Sequence, residues 1–268
     1  MSEFDAELEL ARKAALAAGD ILARYYQDRR SYTVGSKGYD NPVTSADLEA
    51  DAAIKQMLAP AFPGYGWLSE ETSDNGDRLK CRRVWIVDPL DGTKEFIHGV
   101  DEFAVAIALV EDGVPVLGVT YNPIKREMYW AARGTGCHLG RKRVHVSRCH
   151  ALDEATILAS RSELSRGEWE AIKQKTIVKP TGSVAYKLAL VAAGAADATF
   201  THSPKSEWDI ASGAALIAEA GGRMTDIEGR ELRFNQLLVT IGGLIASNGV
   251  LHEPLTALAH RHRRAAAH

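Results

Sequence analysis

The chain has 268 residues, 46% hydrophobic and 25% charged. That composition excludes a disordered or fibrous protein and suits one large domain or two small ones. A formal net charge of -3 supplies no global basic field for a nucleic-acid polymer or an anionic membrane, so any phosphate site must rely on local cations.

Leu8, Ala11, Ala15, Ala18 and Leu22 recur at three- and four-residue steps, the pattern of an amphipathic helix with a small-residue face. Residues 32–42 read as a loop, broken by Gly35, Gly38 and Asn41-Pro42. A second helix is predicted over 45–58, before Pro60 and Pro63. Strands are predicted over 85–87, 104–110, 114–121 and 128–131, with Glu111-Asp112-Gly113 as a turn. Gly134-Thr135-Gly136 and Gly140-Arg141-Lys142 punctuate a further hairpin. The pattern changes over 147–153, and a strand at 157–160 opens a region where strands alternate with helices. Two subdomains are therefore expected, 1–150 and 151–268. The second holds a helix over 184–193, a strand over 198–201 and a helix over 210–220 that stops at Gly221-Gly222. A last helix carries Pro254 in its first turn. The basic stretch 260–268 matches the dipole at a solvated helix end.

No apolar run is long enough to span a bilayer, and the acidic N-terminus lacks a signal-peptide core. Cys81, Cys137 and Cys149 show no paired spacing, which fits reduced thiols and a cytoplasmic location. With His138, His145 and His150 they match no usual zinc pattern.

Asp88-Pro89-Leu90-Asp91-Gly92-Thr93 follows the apolar run Val84-Trp85-Ile86-Val87. A strand is thus expected to end in two carboxylates close enough for one hard cation or two neighbouring ones. Mg²⁺ takes such oxygen ligands together with water and phosphate. The amides of Gly92 and Thr93 then lie where a helix start can hold a phosphate. Taken alone, the hexapeptide also reads as a plain Asp-Gly corner. Other carboxylates follow in Glu70-Glu71, after Gly66-Trp67-Leu68-Ser69, and in Glu207-Trp208-Asp209, before a small-residue helical pattern.

Three stretches occur in order: Glu-Glu, Trp-Ile-Val-Asp-Pro-Leu-Asp-Gly-Thr, and Trp-Asp with a small-residue helix and Gly-Gly. Over about residues 6–222 the chain resembles the Mg²⁺-dependent, lithium-sensitive phosphomonoesterases of the inositol monophosphatase superfamily. The resemblance implies an α/β fold, the layered αβαβα sandwich of the inositol monophosphatase and fructose-1,6-bisphosphatase type. It also implies two or three Mg²⁺ ions held by Glu70, Asp88, Asp91, Asp209 and the Leu90 carbonyl. Without cations, two such charges about 4 Å apart repel by about 4 kcal/mol at an effective dielectric of about 20. Glu70 and Glu71 also read as solvated side chains, and Asp209 as the N-cap of its helix.

Thr44-Ser45-Ala46-Asp47 is a capping box by pattern. The resemblance adds a catalytic role, in which Asp47 and the Thr93 hydroxyl orient the attacking water. Thr93 also reads as a helix cap. The implied reaction is direct hydrolysis by metal-activated water with no covalent intermediate. No GxxxxGK[ST] loop is present, which argues against a kinase or NTPase.

Thr93-Lys94-Glu95-Phe96 resembles the 3'(2'),5'-bisphosphate nucleotidase branch, where the inositol branch more often has Thr-Thr-Asn-Phe. Glu207 before Trp208-Asp209 also occurs in bacterial nucleotidase relatives. Lys187 aligns with a lysine common in that branch and is expected to pair with the substrate's second phosphate; it also reads as a snorkelling surface lysine. Val184 and Ala185 replace serines usual there, although Gly182-Ser183 lies just upstream. The expected substrate contacts are Gly92, Thr93, Gly182, Ser183, Lys187 and Glu207. The expected activity is conversion of adenosine 3',5'-bisphosphate to AMP and phosphate. The alternative is an inositol-1-phosphate or broad sugar phosphatase, and the non-enzyme alternative a metal- or phosphate-binding regulatory relative. Retention of every proposed ligand with Asp47 and Thr93 argues against the last. The expected partners are a small phosphorylated substrate and, in a homodimer, a second copy.

Overall fold

The buried face of helix α1 (Asp5–Gln27) is Leu8, Ala11, Ala14, Ala15, Ala18 and Leu22. The computed structural model describes residues 3–28, 31–38 and 41–266. After α1, strands β1 (Val34–Gly38) and β2 (Asn41–Thr44) pair antiparallel, with Ser36 opposite Pro42. A loop was predicted over 32–42. The breakers are tolerated because this two-stranded sheet has only edge strands, where Pro loses no necessary ladder bond. Helix α2 (Ser45–Ala61) runs past its predicted end and carries Pro60 in its last turn.

β3 (Gly66–Ser69), β4 (Arg83–Asp91), β5 (Ala104–Glu111), β6 (Val114–Asn122), β7 (Glu127–Ala132), β8 (Gly136–Leu139) and β9 (Lys142–Val144) form one seven-stranded sheet in chain order. The short helix α3 (Thr93–His98) follows β4. A second sheet has the order β11-β10-β12-β16-β14. Its strands are β10 (Thr156–Ala159), β11 (Ile177–Pro180), β12 (Ala198–Thr201), β14 (Arg223–Asp226) and β16 (Leu244–Ser247). β13 (Lys205–Ser206) and β15 (Thr240–Ile241) make a small ribbon. The remaining helices are α4 (Arg161–Ser165), α5 (Glu170–Lys173), α6 (Val184–Ala192), α7 (Glu207–Glu219) and α8 (His252–Ala266).

The layers run α1/α2, seven-stranded sheet, α6/α7, five-stranded sheet, α5/α8. This is the expected αβαβα sandwich. Both faces of β4 are covered, so it reads as a continuous apolar run rather than an alternation. Trp85 and Val87 pack under α1 and α2, whereas Val84 and Ile86 pack towards α6 and α7. Asp88, two residues after Ile86, continues that second face by the period of a strand. A third apolar cluster, including Trp169, Phe200, Ile245 and Leu255, lies on the far side of the second sheet. α7 starts at Glu207, earlier than the predicted 210, and α8 starts at His252 with Pro254 in its first turn.

Candidate active site

β4 does not stop at Val87. It continues to Asp91, with an irregularity in its pairing to β5 between Asp88 and Asp91. Asp88 is turned by a bond from the Leu90 N–H to its Oδ1 at 3.0 Å. Gly92 follows at φ 98° and caps α3, a backbone region that favours glycine. Thr93 opens the helix. Its Oγ1 lies 3.2 Å from both Asp47 Oδ1 and the Leu90 carbonyl, each placed to accept its proton.

Asp47 reaches Thr93 from the first turn of α2. Its Oδ2 accepts the Thr44 N–H at 2.8 Å and the Thr44 hydroxyl at 2.5 Å, and Thr44 Oγ1 accepts from the Ala46 N–H at 3.2 Å. The capping box therefore exists, and the same carboxylate also contacts Thr93. Asp91 is held from the opposite side. Its Oδ2 accepts the Ser183 hydroxyl at 2.6 Å and the Ala185 N–H at 2.5 Å, both at the start of α6.

Asp88, Asp91 and Asp209 each offer a carboxylate oxygen, and the three oxygens lie within 4.8 Å of one another. Burial, then Glu70, Asp91 and Asp209, push Asp88 well above the usual carboxylate range. Burial pushes Asp91 up to about 6 against the opposing bonds from Ser183 and Ala185. Asp209 is pushed up to about 8, by desolvation and then by Asp91. Three hard oxygen donors that resist ionising together fit a divalent cation of the Mg²⁺ type.

A test follows from the sign of these shifts. The folded protein keeps protons that the unfolded chain has already released. This contribution to stability is full below the ordinary carboxylate value near 3.8 and is lost as pH rises through about 6 and about 8. The metal-free protein should therefore melt at a lower temperature at about pH 9 than at about pH 5. Saturating Mg²⁺ should restore most of the difference, because metal binding displaces the protons. Melting curves with a chelator and with Mg²⁺ check this; a metal-free melting temperature unchanged across that range would contradict it.

A profile of the inositol monophosphatase family matches residues 5–264. The chain belongs to the inositol monophosphatase family. It is 37% identical over 257 residues to an inositol-1-monophosphatase of Mesorhizobium japonicum, covering 92% of this chain and 94% of that one. It is 36% identical over 233 residues to the 3'(2'),5'-bisphosphate nucleotidase CysQ of Salmonella typhimurium, covering 85% and 93%. The crystal structure of the extragenic suppressor protein SuhB from Bartonella henselae superposes with a TM-score of 0.84 at 33% identity, covering 95% and 98%. The protein is thus a metal-dependent phosphomonoesterase of the inositol monophosphatase family. No helix among its described residues is long and apolar enough to cross a membrane.

In this inositol monophosphatase family member the acidic group opens into a cleft of about 290 Å³. Glu70, Asp88, Leu90, Asp91, Gly92, Thr93, Ser183, Lys187 and Asp209 all line it. Glu70 faces the same cleft but stands outside the tight triad of oxygens. Asp209 is not the N-cap of α7. It is the third residue of the helix, and its Oδ2 accepts the N–H of the capping residue Ser206 at 2.9 Å.

Two expected substrate contacts lie elsewhere. Glu207 is fully buried, and its oxygens accept the N–H groups of Asn235 at 2.6 Å and Gln236 at 2.9 Å. It anchors that loop and does not line the cleft. Gly182 is a packing position: a Cβ there would lie 2.3 Å from Glu95 Cγ, and its N–H donates to Glu102 at 2.7 Å. Lys187 does not snorkel. It is 6% exposed, and burial lowers its pKa against the pull of Glu163. Lys205 of β13 lines the same cleft and lowers the Lys187 pKa further. Sequence reasoning missed Lys205; its only signal is its place just before Glu207-Trp208-Asp209.

Proposed function

We propose that the protein hydrolyses the phosphate ester of inositol-1-phosphate and of related sugar phosphates. This reverses the order expected from sequence. The nucleotidase preference leaned on Thr-Lys-Glu-Phe, Glu207 and Lys187, and the observation that turns it is the withdrawal of Glu207 into the fold, where both its oxygens accept backbone N–H groups. Similarity to inositol-1-monophosphatases over 92% of the chain supports the same reading.

In this proposal Glu70, Asp88, Asp91, Asp209 and the Leu90 carbonyl hold two or three Mg²⁺ ions. When bound, these ions supply Lewis acidity towards water and the phosphoryl oxygens. The chain's own groups do the rest. The amides of Gly92 and Thr93, at the start of α3, receive phosphoryl oxygens. Thr93 Oγ1 donates towards Asp47, which leaves a hydroxyl lone pair to accept a hydrogen bond from the attacking water and orient it. Phosphoryl transfer needs mainly such positioning and charge. Cys81, Cys137 and Cys149 are free thiols, which supports a cytoplasmic location.

Adenosine 3',5'-bisphosphate hydrolysis is the second reading. The observation favouring it is the pair of lysines, Lys187 and Lys205, on one cleft wall, where a second anionic group finds charge. Phosphate release from a substrate panel, with and without Mg²⁺, tests the choice. The expected result is a higher kcat/KM for inositol-1-phosphate than for the bisphosphate, with Lys187→Ala lowering both alike. A higher kcat/KM for the bisphosphate would move the protein to the second reading. So would a Lys187→Ala loss confined to it, on the order of 1.5–3 kcal/mol for a charged hydrogen bond.

A further inference from the structure

Helix α2 carries a second buried carboxylate one turn beyond Asp47. Asp51 is 7% exposed and does not line the cleft. Both of its oxygens are occupied by hydroxyls, one from the last residue of β3 and one from the segment that follows it. Ser69 donates to Oδ1, and Thr72 donates to Oδ2 at 2.8 Å. Ser69 Oγ also accepts the Glu71 N–H at 3.3 Å, while the Glu70 N–H donates to the Val87 carbonyl of β4 at 3.2 Å. Glu70 is therefore fastened on both sides.

Glu70 shares the cleft with the Asp88, Asp91 and Asp209 triad, whose oxygens form the tight group, and its charge raises the Asp88 pKa. Its distance from the triad depends on what anchors residues 69–72. A buried carboxylate is a costly anchor for the fold alone, since an apolar residue on that helix face would pack without desolvating a charge. The spacing of Asp47 and Asp51 puts both on one face of α2. One helix then holds Thr93 with its first turn and the Glu70 segment with its next.

We propose that Asp51 is a positioning residue: through Ser69 and Thr72 it sets the approach of Glu70 to the aspartate triad, and so the affinity of the cleft for divalent cations. The proposal rests on the metal-dependent reading of the cleft. Direct Mn²⁺ binding to metal-stripped protein without substrate, read by electron paramagnetic resonance, tests it beside turnover. Asp51→Ala and Thr72→Val should each weaken Mn²⁺ binding about 10–100-fold, the usual cost of losing a group that orients a ligand. The Mg²⁺ concentration for half-maximal turnover should rise in step, with kcat at saturating Mg²⁺ little changed. Thr72→Ser, which keeps the hydroxyl, should bind like the parent. In a Glu70→Gln background, Asp51→Ala should add no further loss, because both changes act through one ligand. Parental Mn²⁺ affinity in Thr72→Val, or an undiminished Asp51→Ala effect without the Glu70 carboxylate, would overturn the proposal. Thr72→Val decides the matter if Asp51→Ala does not fold. A parent protein that binds no Mn²⁺ overturns the metal reading itself, and this proposal with it.

Discussion

Asp91→Asn should lose turnover by about 10²–10³-fold or more, the scale for removing one electrostatic contact to a developing charge, while keeping its fold. The reason lies in the donors around Oδ2. The Ser183 hydroxyl and the Ala185 N–H both point at that oxygen. An asparagine must give its carbonyl to them and turn its NH₂ towards Asp88 and Asp209. The cleft then loses a charge and also gains a donor where a cation needs an acceptor. Metal-free Asp91→Asn should be at least as stable as the parent, because one member of a mutually repelling buried set is gone. Circular dichroism, metal-free melting and kcat at saturating Mg²⁺ together check this. Near-parental kcat would sink the proposed metal site.

Asp47→Asn should lower kcat by about 10²–10⁴-fold, the range for a positioned acid or base, with Mg²⁺ affinity close to the parent's. The Thr44 N–H and hydroxyl both donate to Oδ2, so an asparagine keeps the cap by placing its carbonyl there. Its NH₂ then faces Thr93 Oγ1, and the polarity of that contact reverses. The NH₂ occupies one Thr93 lone pair and leaves the hydroxyl proton to the Leu90 carbonyl, so the Thr93 hydroxyl turns and loses the carboxylate behind it when it orients water. A stability loss near the cost of a lost cap, about 1 kcal/mol, with no specific fall in kcat would restrict Asp47 to holding α2.

The Asp88 to Thr93 stretch is readable in sequence because its signals are local: an apolar run, two carboxylates and an Asp-Gly corner succeed each other within one strand and turn. The same holds for Thr44 to Asp47, whose capping box needs only its own four residues. What sequence does not carry is the direction a buried side chain takes when its partner is remote. Glu207 looks like a cleft residue by its place beside Trp208-Asp209, yet its partners lie in a loop 28 and 29 residues further on. Lys187 looks like a surface lysine until tertiary packing encloses it and brings Glu163 near. The β1–β2 pair escaped for a different reason. Its glycines and proline deny a central strand but not an isolated ribbon, and only the folded chain shows which is present.

The middle layer constrains how such a protein can diverge. α6 and α7 come from the second half of the chain, yet α7 seats against β4, β5, β6 and β7 of the first sheet and carries Asp209 to the strand that bears Asp88. Each half packs on the surface of the other. Recombination that trades halves between distant relatives would join surfaces with no shared history and misplace an aspartate. Point changes at the rim, at Lys94 or Lys205, leave that seam alone. Substitutions at the cleft rim can therefore alter what the cleft receives without disturbing the packing that places Asp209.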